Sequence, residues 1–297
     1  MTRNSKNDFV LQRDAMLVRC RIHSYNAKTK DKEVRDKAAD ENQADRNMLH
    51  VVRDILPKEA LRGLHRNNGD LRTFVYNVTL PWEDGGYRLL PVKAYDRFEA
   101  GVRKHTDTQE QLLSELLESY QDWKDQAKTK LGKLYKEEDY LSVEQIKSRF
   151  RFAIKYAPVP QSNHFVADLV NGSVKKIRQE IEAENEHRIK GTITNVAERV
   201  TTALNRLVEK MREPARKQKS GKETPVFRDS IIGNIVELVE LLPALNITND
   251  PLIEKARQQV EAELAGINPE ELRESSDSRK EVANKAEEIS KSLVGYL

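Results

Sequence analysis

The stretch 173–213, SVKKIRQEIEAENEHRIKGTITNVAERVTTALNRLVEKMRE, contains no proline, and its apolar spacing decides the fold class. Asn185, Ile189, Ile193, Val196, Val200, Leu204, Leu207 and Met211 follow at steps of 4, 4, 3, 4, 4, 3 and 4. Eleven residues complete three helical turns at about 3.67 residues per turn, so the stripe stays on one side of a nearly straight helix. The spacing predicts one long helix that must cover a continuous seam. Asn185 is a polar residue in that seam. It suggests that register matters, as buried polar seam residues do in coiled coils.

An earlier run keeps the same rhythm: Leu112, Leu116, Tyr120, Trp123, Ala127, Leu131 and Leu134. It predicts a first long helix over about 92–135, introduced by Pro91. Two long helices with one rhythm predict an antiparallel, coiled-coil-like hairpin over 92–213. On its N-terminal side lies a mixed region, 1–91. Met16–Tyr25 alternates, with Val18, Cys20 and Ile22 against Arg19, Arg21 and His23, the period of a half-buried strand. The charged run 28–45 reads as an exposed helix start, with Met48, Val51, Val52 and Ile55 as its face and Pro57 as its stop. Residues 57–63 read as a helical turn, Asn67-Asn68-Gly69-Asp70 as a turn cluster and 87–90 as a short strand; 71–80 fits a helix through Leu71, Phe74, Val75 and Val78, preferred because its flanks are helical, or a strand through Phe74, Tyr76, Val78 and Leu80.

Between the long helices, Ser142-Val143-Glu144-Gln145 is a capping box that opens a short helix. Phe150, Phe152, Ile154 and Tyr156 then alternate with Arg149, Arg151, Ala153 and Lys155 as a strand. Residues 165–170 read as its returning partner, completing a β insertion at 140–170. The strands near 16–25, 87–90 and 149–157 are expected to form a small sheet at one end of the hairpin. Beyond a basic linker at 214–225, residues 226–297 read as a C-terminal helical cluster. Its helices are a very apolar one over 227–242, one capped by Asp250 with Pro251 at its first position, a short one from Asn268-Pro269 and a last one over 278–294. The fold class is therefore mainly α, with a small β-sheet.

A chain of 297 residues with 33% charged residues and a net charge of +3 points to long exposed helices; so small a surplus of cations does not itself indicate nucleic acid. A lone cysteine, Cys20, rules out an internal disulfide and suits a reducing compartment. No apolar run approaches the roughly 20 residues of a membrane span, and the N-terminus leads into no signal-peptide core. The six histidines are dispersed, without metal-ligand spacing. Ser220-Gly221-Lys222 lacks the first glycine and the strand of a phosphate loop. No cofactor motif is present, and Glu270-Glu271 and Glu287-Glu288 read as solvated helix charge. The expectation is a non-enzymatic protein.

Two constellations are candidates for function. The seam positions Asn185, Ile189, Ile193, Val196, Val200 and Leu204 could form a subunit interface in a homo-oligomer, the alternative being intramolecular core. The basic strand faces, with Arg19, Arg21, Arg149, Arg151 and Lys155, together with Lys217 and Lys219 of the linker, could bind single-stranded DNA. Neighbouring Tyr25, Tyr87 or Trp82 would supply stacking. The plain alternative there is a wet outer sheet face.

Residues 140–152, YLSVEQIKSRFRF, with Tyr156-Ala157-Pro158-Val159-Pro160 and Phe165, and 227–238, FRDSIIGNIVEL, running into Leu242–Ile247, carry a resemblance. Thr79–Trp82 and Gly86–Pro91 extend it. These blocks resemble a widespread family of uncharacterised bacteriophage proteins of about this length, across most of 70–297. The resemblance implies a phage-encoded protein in the cytoplasm of the infected bacterial host and transfers no catalytic motif. The first expectation is an accessory or scaffold protein acting through phage or host protein contacts and self-association. The second is a single-stranded nucleic-acid-binding protein of phage replication or recombination.

Overall fold

Alternation in 15–23 and in 151–157 produces the strands expected of it. The structure is a computed structural model that describes residues 13–82, 86–160, 173–213, 216–217, 223–224, 230–264 and 266–296. Strand β1, Ala15–His23, lies between β4, Arg88–Pro91, and β5, Arg151–Ala157, in a three-stranded sheet of order β4-β1-β5. The β1–β4 pairing is antiparallel, with Leu17 opposite Leu89 and Val18 opposite Arg88. The expected strand at 165–170 lies outside the described residues. Among these, the chain is mainly helical with this small sheet, as the sequence indicated.

The chain forms two compact units, each assembled from segments distant in sequence. One comprises 1–19, 77–97 and 155–297; the other comprises 20–76 and 98–154. Strands β1 and β5 each have residues in both units.

In the first unit the long helix α6, Ser173–Arg212, packs most extensively against α10, Ser276–Ser292. The pair is antiparallel: the Ser290 hydroxyl donates to Asn205 Oδ1 at 2.9 Å, and Arg212 near the helix end reaches back to Asn284 and Glu287. Helices α7, Ser230–Leu245, and α8, Pro251–Glu263, complete the cluster. Asn185, Ile189, Val196, Val200, Leu204, Leu207 and Met211 are buried, and Ile193 is half-buried. The seam is therefore interior, covered by helices of the same chain. Burying each such aliphatic side chain contributes about 1.5–3 kcal/mol.

Asp250 caps α8, accepting from the Leu252 and Ile253 backbone N–H groups, with Pro251 at the first position. Leu252 is exposed, and the buried stripe of the helix is Ile253, Ala256 and Val260. Helix α7 also continues through Pro243 to Leu245 instead of ending at Leu242. Within the basic linker, β6, Arg216–Lys217, pairs antiparallel with β7, Glu223–Thr224, where the sequence suggested only a flexible connector. Arg199 fastens α6 to the strand region, donating to the carbonyls of Asn77 at 2.9 Å and Thr79 at 2.8 Å.

In the second unit α2, Lys58–Val78, runs antiparallel to α3, Tyr95–Glu118. Gly63 faces Leu112, Asn67 bonds His105 and Phe74 faces Gly101. The Asn67–Asp70 cluster is thus helix interior. Its asparagines are buried and draw hydrogen bonds from outside the helix: Asn67 Nδ2 donates to the His105 carbonyl at 2.9 Å, and Asn68 Nδ2 to Ser24 Oγ at 3.1 Å. Tertiary hydrogen bonds outweigh the local turn preference of asparagine.

The first long helix is not continuous. It breaks at Ser119 between α3 and α4, Tyr120–Leu131, and α4 stops at Gly132, whose φ of 53° is the left-handed conformation glycine permits. Residues 48–55 also depart from expectation. Instead of a helix face, Val52–Asp54 is strand β3, paired with β2, Lys28–Lys30, and Met48 and Val52 are exposed. Helix α1, Lys32–Glu41, follows β2, with Asp31 as its cap.

Two substitutions test this packing. Leu204→Ala should cost about 2–5 kcal/mol in chemical denaturation; a loss under roughly 0.5 kcal/mol, as for a surface change, contradicts the covered seam. A Cβ added at Gly101 would lie 2.0 Å from the Phe74 ring. Gly101→Ala should lower the unfolding midpoint, and adding Phe74→Ala should remove the specific cost of the new methyl group; equal penalties for Gly101→Ala in both backgrounds contradict this contact.

Candidate nucleic-acid interface

The cations singled out on the strands fall into both units. In the first unit the Arg19 guanidinium lies 5.9 Å from the centroid of the Tyr87 ring. Lys155 is exposed, and the rings of Tyr95 and Tyr156 lie 6.3 Å apart, both exposed. Trp82 is not free to stack on a ligand: it is buried, with Arg188 at 4.5 Å over its ring.

The second unit holds Arg21, His23, Arg149 and Arg151. Helix α5, Val143–Arg149, starts at a complete capping box, Ser142 accepting from the Gln145 N–H and the Gln145 side chain accepting from the Ser142 N–H. Its Ile146, and Phe150 one turn on, enter a core with Leu64, Leu116 and Tyr120. Arg149 and Arg151 flank the anchored Phe150 and remain exposed. On β1, which neighbours β5, Arg21 is exposed between half-buried Cys20 and Ile22. Among the described residues Arg21, Arg149 and Arg151 form no ion pair, whereas Arg46 of the same unit is matched to Asp40 at 2.8 Å and Arg66 to Asp70 at 3.9 Å. Tyr25 is half-buried and feels the Arg149 charge; burial pushes its hydroxyl above the ordinary range, and Arg149 works in the opposite direction.

A rigid support lies in the same unit. Arg53 is buried at 8% exposure between two carboxylates, Asp31 at 3.3 Å and Asp139 at 2.8 Å. The sequence reading missed this triad, because Arg53 sits in a three-residue strand with no periodic signal. Tyr120 donates to the Leu141 carbonyl at 3.0 Å and Tyr140 to the Ile55 carbonyl at 2.7 Å.

The remaining candidates separate from this surface. The seam positions proposed for self-association are interior apart from half-buried Ile193, so they have little area to offer a second copy. Lys219 lies outside the described residues, and Lys217 falls in β6. Burial pushes the Cys20 thiol up to about 11 although Arg72 pulls it down, so it carries little thiolate at neutral pH. Glu287 is held down at about 2 by Lys291 and Arg212, which makes it a paired surface carboxylate. Among the described residues no group of three or more His, Cys, Asp and Glu side chains could hold a metal, and no helix is long and apolar enough to cross a membrane. No family model, curated protein or solved structure matches the chain.

Burial pushes the Tyr120 and Tyr140 hydroxyls to about 12 each. An unfolded tyrosine titrates near 10. These groups' contribution to stability is therefore complete below about pH 10 and is lost as pH rises towards 12. Phenolate absorbance should place Tyr120 and Tyr140 among the late-titrating tyrosines of the native protein, each assigned by its Tyr→Phe variant, whereas both ionise near 10 in denaturant. Coincident titration in both states contradicts their burial.

Proposed function

We propose that the protein is a non-enzymatic accessory protein of bacteriophage type that binds single-stranded nucleic acid through Arg21, Arg149 and Arg151, with Tyr25 beside them. One observation carries this reading: three exposed guanidinium groups on neighbouring strands and the adjoining helix end, none neutralised by a carboxylate among the described residues. Phosphate oxygens are ligands that arginine binds in a bidentate manner, and a tyrosine ring beside them supplies a stacking surface for a base. The anchoring of Phe150 and the α5 cap hold two of the cations on regular elements, which favours a preformed surface. The resemblance of 140–152 and 227–238 to a phage family supports the biological setting. The scaffold reading loses support because its seam is taken up by the chain's own core.

The test is a salt titration with a single-stranded oligonucleotide. Each phosphate neutralised on a single strand adds about −0.7 to the slope of log K against log salt. Three contacts predict roughly −2, and Arg149→Gln with Arg151→Gln should flatten the slope by about 1.4 while leaving the unfolding midpoint in place. Absence of binding at low salt, or an unchanged slope in the double variant, overturns the reading. A light-scattering mass above 34.2 kDa without DNA binding would instead favour self-association through another surface.

A further inference from the structure

Helix α2 opens onto a hollow that the strand cations do not share. A cavity of about 480 Å³ lies over the start of the helix, within the second unit. Its floor is apolar, made by Leu56 and Leu61, both under 5% exposed, with Pro57. Its rim carries the cations Lys28, Lys58 and Arg62, with His65 beside them. A second hollow of about 270 Å³ shares Leu56–Glu59 and ends at Lys130.

The helical register explains how these groups meet. Positions 58, 61, 62 and 65 lie at i, i+3, i+4 and i+7, so two cations and a histidine share one helix face with the buried Leu61. Lys58 and Arg62 are like charges four residues apart, which costs an isolated helix a few tenths of a kcal/mol. Among the described residues neither is in an ion pair. The acids on the same rim do not neutralise them: Asp54 pairs with Lys28 at 3.7 Å, and Glu59 forms no ion pair with either. His65 Nε2 lies 3.0 Å from the Tyr25 carbonyl, an oxygen that can only accept, so Nε2 carries a proton and holds the ring at the rim. The helix N-terminus adds positive potential, although its Ala60 N–H donates to the Pro57 carbonyl at 3.0 Å.

We infer that this cavity binds a phosphomonoester with an apolar body, the body on Leu56 and Leu61 and the phosphate between Lys58 and Arg62. A phosphate dianion relieves the like-charge pair and accepts charge-assisted hydrogen bonds from both side chains. An apolar portion fills a floor that water wets poorly. Neither Arg149 nor Arg151 lines the site, and the inference does not depend on the nucleic-acid reading.

Fluorescence anisotropy of 1-naphthyl phosphate with the full chain tests it, with 1-naphthol and inorganic phosphate as competitors. Saturable binding is expected, displaced only weakly by either fragment alone. Lys58→Gln and Arg62→Gln should each weaken it by about tenfold, the effect of losing a hydrogen bond to a charged group. Both side chains are exposed, so the unfolding midpoint should stay in place and report that the fold is intact. The Arg149→Gln, Arg151→Gln double variant should bind the probe as the parent does. Absence of saturable binding, or affinity lost in the strand variant but kept in the two α2 variants, overturns the inference.

Discussion

A forty-residue helix with an apolar seam cannot stand alone in water. Helical propensity contributes little per residue, and most helix stability in proteins comes from covering an amphipathic face. In α6 that requirement is met by α10, with α7 and α8 alongside, and much of the first unit follows from it. Ser290 reaching Asn205 and Arg212 reaching Glu287 fix the register of the pair, while Arg199 ties the helix to the Asn77 and Thr79 carbonyls beside the sheet.

The second unit depends on a different interaction. Arg53 brings a charge into the interior, and a buried charge is tolerated only when it is paired. Asp31 caps α1 and also faces Arg53, while Asp139 comes from a turn 86 residues further along the chain. The triad therefore links β3, the start of α1 and the segment before α5. Breaking such a pair by removing one partner characteristically costs about 3–5 kcal/mol, since the remaining charge stays buried. Its value lies less in net stability than in admitting one arrangement of these segments.

Elements governed by periodicity were legible in the sequence. The α6 seam, the alternation of β1 and β5, the Ser142 box and the Asp250 cap all appear where residue type and spacing placed them. Elements governed by distant partners were not. Asn67 and Asn68 lie inside a helix because His105 and Ser24 supply their hydrogen bonds, and Val52–Asp54 is a strand because it pairs with Lys28–Lys30. Which helix covers which stripe is also a long-range fact: α6 found its cover at the C-terminus, a choice that equal rhythm in 112–134 could not reveal. The strand cations were identified from alternation alone. The α2 cavity escaped notice because Lys28 and His65 come together only in three dimensions.

The division of the chain bears on the order in which the protein is made. Unit two consists of 20–76 and 98–154, so all its residues have been synthesised before 155–297 emerges. Its core and the Arg53 triad can close at that stage. The first unit has its opening strand before all of these residues and its seam-covering helix, Ser276–Ser292, more than a hundred residues after them. Domains generally fold as units during synthesis, so α6 emerges with its apolar stripe uncovered on the side that Ser276–Ser292 will occupy. Through that interval the growing chain carries a closed second unit and, behind it, a helix still waiting for its partner.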